Sequence, residues 1–295
     1  MPSALRIKNI VDAALAGIGG TVGTIFYVCS TQTGAADSAG RGLTPETALA
    51  TWDYAIGRCT ASKGDVIVLM PGHVETVTAA AGVALDVAGV TTIGLGSGRI
   101  RPTVNYTTAI AASVDVTAAN CLVKNVVFTP IGFDAITAAM NVTAADFWMD
   151  GCEWQISTGT NAPVLGILTA ATATRLKVTN TKFLGPATST STVTACIKHE
   201  VGIDFEIDNC DFHGKMTQAI LNATTLLGGK IHNNRFQIYT GTKGIALAAA
   251  TTAFITNNRF NVPSGTAPIV AAAGFVAGNV YSAAAGVTAG TASTI

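Results

Sequence analysis

An eight-residue pattern returns seven times between residues 121 and 281, and this repetition constrains the fold more than any single motif. The windows read CLVKNVVF (121–128), FWMDGCEW (147–154), LKVTNTKF (176–183), FEIDNCDF (205–212), GKIHNNRF (229–236), AFITNNRF (253–260) and GFVAGNVY (274–281). The eighth position is always aromatic: Phe128, Trp154, Phe183, Phe212, Phe236, Phe260 and Tyr281. By subtraction, these aromatics lie 26, 29, 29, 24, 24 and 21 residues apart. Self-similarity at a period of roughly 20–50 residues marks a solenoid, a propeller or an array. Here the period drifts while the motif keeps its alignment, so the extra residues fall in loops between fixed elements. That is how a solenoid varies.

Each position then acquires a physical meaning. The third is apolar throughout (Val123, Met149, Val178, Ile207, Ile231, Ile255 and Val276), an inward stack. The fifth is Asn125, Gly151, Asn180, Asn209, Asn233, Asn257 or Gly278. Asn and Gly accept a positive φ at low cost, so this position predicts a sharp bend between two strands. The sixth becomes Asn234, Asn258 and Asn279 in the last three windows. Stacked amides there would bond from coil to coil, each bond worth about 1 kcal/mol net. A further apolar strand precedes each window, as in AAMNVTA and TACIKHE. Three short strands in roughly 25 residues, at about 3.3 Å each, close one turn of a parallel β-helix.

In these bends and stacks the chain resembles the right-handed parallel β-helix proteins of pectin-lyase-like type, over roughly residues 40–283. The expected class is all-β, a single-stranded right-handed parallel β-helix solenoid with a short N-terminal capping helix. GLTPETALATWDYAIGRC (42–59) supplies that helix, expected over 45–59, with Thr44 as N-cap and Pro45 at the first helical position. Leu49, Trp52 and Ile56 fall on one face of it, able to close the open end of the solenoid. Residues 1–40 read as an arm or assembly segment, 41–283 as the β-helix and 284–295 as a tail.

Composition narrows the partners. Seventeen basic and seventeen acidic residues balance, and only 12% of the chain is charged, so nothing favours nucleic acid. The six cysteines show no C-x-x-C and no metal-ligand spacing to His, so they read as buried thiols with no metal or cofactor expected. Cys152 and Cys210 share one position two coils apart, at roughly 9–10 Å, too far for a disulfide. The uncharged tract ALAGIGGTVGTIFYV (14–28) mimics a signal-peptide core, but Asp12 lies ahead of it and no clear cleavage site follows. The charge-free end of the chain suits strands and turns, so no membrane partner is expected.

The outward positions carry charge in alternating sign. Position seven runs Glu153, Lys182, Asp211, Arg235, and position two runs Lys177, Glu206, Lys230. Such rows read first as register-holding ion pairs. An enzymatic alternative uses the same acids: Glu153 and Asp211, two coils apart, lie near the upper limit of about 9.5 Å for an inverting glycosidase pair. Lys182 between them would keep both ionised, so no general acid is evident and the chain is expected not to be an enzyme. His73 and His232 read as lone histidines in turn or surface roles. Trp148 beside Asp150 is a candidate sugar-stacking platform under that alternative.

The stretch GRGLTPETALATWDYAIGRCTASKGDVIVLMPGHVETVT resembles the leading part of β-helix proteins of tailed bacteriophages. That resemblance implies a virion structural protein, most readily a capsid decoration or cement protein on the capsid surface, assembled in the host cytoplasm. Its partners would be itself, as a homotrimer, and the major capsid protein. The alternative is a tailspike or tail-fibre protein that binds or cleaves host polysaccharide.

Overall fold

The computed structural model describes residues 23–281 except 157, 189, 201, 223, 225, 241–242, 248–251, 264–267 and 272–273. Within them the strands form three parallel sheets of ten, nine and eight strands. A coil visits each in turn. Trp148–Asp150 lies in the ten-stranded sheet, Glu153–Gln155 in the nine-stranded and Pro163–Thr169 in the eight-stranded, and Lys177–Thr179 then returns to the first. The expected right-handed parallel β-helix is the fold.

The register follows from the windows. Val123, Met149, Val178, Ile207, Ile231, Ile255 and Val276 pair in one continuous column of the ten-stranded sheet. The first six are fully buried. Strand alternation puts positions one and three inside and two and four outside. The bend at position five then turns the chain so that six and eight face inward again. The eighth-position rings stack without a break from Phe128 to Tyr281, with centroids 4.5–6.2 Å apart. Burying each ring contributes about 1.5–3 kcal/mol, so this spine is a major part of the core.

The N-terminal end differs from expectation in two ways. The segment 45–59 is not one helix: a 3-10 turn, Pro45–Thr47, and a short α-helix, Trp52–Ile56, are separated by extended backbone. Between them Leu49 joins the first strand, donating from its N–H to Tyr27 O while its carbonyl accepts from Cys29. Leu49 is fully buried, and these sheet-type bonds outweigh the helical ones a continuous helix would supply. The capping side chain is consequently Thr51, whose hydroxyl accepts from Tyr54 N–H, while Thr44 makes no side-chain cap. The short helix still plugs the core with Trp52, Ala55 and Ile56.

The second difference concerns the proposed arm. Ile25–Val28 is the first strand of the ten-stranded sheet, paired in parallel with Val66–Leu69. The solenoid therefore begins inside the 1–40 segment, because IFYV offers a β-branched and aromatic run that extends the sheet edge. Residues 1–22 and 284–295 lie outside the described residues. No helix among the described residues is long and apolar enough to cross a membrane.

Candidate functional site

The polar columns at the bend come first, because they hold each coil on the next. All seven fifth-position residues have positive φ: Asn125 58°, Gly151 61°, Asn180 53°, Asn209 51°, Asn233 58°, Asn257 57° and Gly278 64°. Their amides also bond between coils, Asn209 Nδ2 donating to Asn180 Oδ1 and Asn180 Nδ2 to Asp150 Oδ1, each at 2.7 Å. At position six, Asn258 donates to Ile231 O at 2.9 Å while its Oδ1 accepts from Asn234 N at 3.0 Å. Asn234 and Asn279 repeat the donation onto Ile207 O and Ile255 O.

Cys152 and Cys210 belong to the sixth-position column, which sequence reasoning missed. Cys152 Sγ reaches Val123 O and Cys210 Sγ reaches Val178 O, the same third-position carbonyls that the Asn amides serve lower down. A thiol is a weak donor in place of an amide. All six cysteines are free, and burial pushes the Cys152 and Cys210 thiols up to about 12. A second bend column, also missed, lies one residue before the windows: Asn120, Asp146, Arg175, Asp204 and Gly228 all have positive φ. Arg175 is an unusual residue for that conformation. Its guanidinium grips Asp146 with two bonds of 2.6 Å, tying the bend to the previous coil.

Outside the ten-stranded sheet, position two forms one column: Trp148, Lys177, Glu206, Lys230, Phe254 and Phe275. Lys177 pairs with Glu206 at 3.1 Å and its ammonium lies 5.2 Å from the Trp148 ring centroid. Glu206 also meets His232 Nε2 at 3.3 Å, and Asp208 meets His232 Nδ1 at 3.0 Å, so His232 is not a lone histidine but a bridge between acids. Burial works against the Glu206 charge, yet Lys177 and His232 hold its carboxyl below the usual range. Beside this column a groove of about 510 Å³ opens where Gly228 and Gly229 follow each other; Arg175, Asp204, Glu206, Lys230 and Phe254 border it. Trp148 is half-buried, with its indole N–H donating to Thr179 at 2.8 Å.

The acids of the enzymatic alternative sit in register on the nine-stranded sheet, with Lys182 between Glu153 and Asp211. Asp211 takes Arg235, its expected neighbour in the row, in two bonds of 2.9 and 2.6 Å. Glu153 takes a partner from outside the row, Arg101, which reaches it at 3.1 Å from two coils away. Sequence order hides the loop that delivers Arg101. Burial works against the Asp150 charge, but hydrogen bonds from Asn180, Lys124 and Thr179 hold its carboxyl below the usual range. His73 is buried, contrary to a surface role: its Nδ1 accepts from Ser30 N–H and its Nε2 meets Glu75 Oε2, each at 3.1 Å. No group of three or more His, Cys, Asp and Glu placed to hold a metal occurs among the described residues.

These columns and sheets define a parallel β-solenoid with two polar outward faces. The fold is similar to that of the Escherichia coli protein YbhC, at 12% identity and a TM-score of 0.51, covering 88% of this chain and 84% of that one. It is also similar to a rhamnogalacturonan lyase, at 12% identity and a TM-score of 0.48, covering 84% of each chain. No family model matches the sequence, and no curated protein does. At this identity the likeness extends to the fold. The expectation that the chain is not an enzyme does not hold: a fold decides neither for nor against catalysis, and the charged rows on which that expectation rested exclude none.

Proposed function

We propose that this chain is a structural β-helix protein of a tailed-bacteriophage virion, seated on the capsid surface with the major capsid protein and further copies of itself as partners. The observation that carries the reading is an apolar patch on the C-terminal half of the ten-stranded sheet. Ile203 and Leu227 are paired neighbours, each 52% exposed, and Phe254 and Phe275 pair in turn at 58% and 39% exposure. Exposed apolar pairs on successive coils mark a protein contact. The leading segment's resemblance to phage β-helix proteins supports the same reading. Imaging the assembled particle by electron microscopy tests it: solenoid-shaped density spread over the shell supports decoration, whereas density only at the tail tip, or none, overturns it.

A second reading is favoured by the groove beside Lys230 and Phe254. An exposed ring flanked by Glu206 and Lys230 is the combination that stacks and hydrogen-bonds a sugar. Under this reading the chain binds polysaccharide on the ten-stranded sheet. Titration with host-surface polysaccharide, before and after Phe254→Ala, checks it; unchanged affinity in the variant excludes the groove.

A further inference from the structure

The nine-stranded sheet carries a second groove, of about 550 Å³, whose charged lining is mostly cationic. Its floor is one outward row in register, Thr103, Val127, Glu153 and Lys182, so it runs along the solenoid axis over four successive coils. Arg99 and Arg101, from the 3-10 turn Gly98–Ile100 and the residue after it, border the same space. Arg101 is held in place. Its guanidinium bonds Glu153 at 3.1 Å, Gly151 O at 3.0 Å and Val126 O at 3.4 Å, so it lies across the intervening coil. Glu153 is thereby the anchor of an arginine.

Three cations, Arg99, Arg101 and Lys182, face one carboxylate, leaving a net charge of +2 in a chain whose total is zero. Arg99 and Lys182 are exposed and make no ion pair among the described residues. Other outward charges pair across coils, as in Lys177–Glu206 and Asp211–Arg235. Here the excess cations share one concave space.

We infer that this groove is a binding site for a dianionic oxyanion of the phosphate-monoester class. Such a group carries about −1.5 to −2 charge at neutral pH, matching the +2 of the site, and offers several acceptor oxygens to forked and point donors alike. The half-buried Arg101 supplies a preorganised positive wall, Arg99 and Lys182 close on the ligand from the exposed sides, and the Gln155 amide adds a neutral donor. A single carboxylate would leave part of the charge uncompensated.

Isothermal titration of the full chain at low ionic strength, with inorganic phosphate in one arm and glucose 6-phosphate in the other, tests the assignment. Saturable binding is expected, weakened roughly tenfold or more by Arg99→Ala and by Lys182→Ala, since a charge-assisted hydrogen bond is worth about 1.5–3 kcal/mol. Both replaced residues are exposed, so the fold is retained, and circular dichroism verifies it. Lys63→Ala, an exposed cation outside the groove, should leave the affinity unchanged. Binding of the sugar phosphate alone supports the site and identifies a phosphorylated sugar as its source; equal binding of both probes supports it with the free ion sufficient. Absence of saturable binding in both arms, or binding that both groove variants leave intact, overturns the proposal.

Discussion

Asn258 shows what one residue does in this solenoid. It is fully buried, and its amide serves two coils at once, accepting from Asn234 N–H and donating to Ile231 O. Asn258→Ala leaves a buried N–H and a buried carbonyl without their partners, a loss of about 2–3 kcal/mol. Asn261→Ala removes only an exposed side-chain bond to Gln237 and should cost under about 0.5 kcal/mol. Urea midpoints of the two variants compare these directly. His199 makes a second residue-scale case. Thr169 Oγ1 accepts from Glu200 N–H and shares a 2.6 Å hydrogen bond with His199 Nδ1, while the buried Nε2 has no partner. Burial lowers the imidazole to about 4, with Glu200 offsetting part of that shift. Below pH ~6.5 the unfolded chain takes up the proton more readily than the folded one. Stability is therefore full above pH ~6.5 and falls by up to about 1.4 kcal/mol per pH unit towards pH 4. His199→Gln should flatten that part of a stability–pH profile.

At the scale of elements, one coil is fitted to the next by paired large and small residues. A Cβ on Gly229 would lie 2.1 Å from Phe205 Cε1, because that buried ring leans from its own coil into the space the glycine leaves. Gly229→Ala should destabilise by about 1–3 kcal/mol through overpacking. In a Phe205→Leu background the same change should cost measurably less, and a double-mutant cycle in urea reads the coupling. Additive effects would show that the two coils do not share this packing. Such couplings explain which elements were legible in the sequence. Position five is readable because Asn and Gly adopt a positive φ most cheaply, and position eight because aromatic rings advertise themselves. The bend at Arg175 was not readable: its conformation is held by Asp146 one coil away, and nothing local marks it. The same holds for Leu49, whose partners are Tyr27 and Cys29. On the outer faces, Glu153 and Asp211 were visible as a row, but Arg101 reaches its acid across 52 residues of sequence.

For the whole molecule the consequence is that stability is passed from coil to coil, as in other solenoids, with each repeat resting on its neighbours. The two ends of the described chain are unequal. At the N-terminal end Trp52 is fully buried, its N–H bonded to Glu75 at 2.7 Å and its indole to Thr92 at 3.1 Å. At the other end the last strands, Ile269–Val270 and Val280–Tyr281, are two residues long and only partly buried. Unfolding should therefore begin from the C-terminal coils and travel towards the capping helix. The free thiols report on it, since Cys152 and Cys210 occupy the same position two coils apart and burial raises both to about 12. In the native state neither should react with a thiol reagent at neutral pH on the time scale of minutes. In urea just below the main transition, mass spectrometry after a short labelling pulse should find Cys210 modified well before Cys152. Simultaneous labelling of the two would mean that the aromatic spine binds all the coils into one cooperative unit, and the unequal ends would then have no bearing on how the molecule opens.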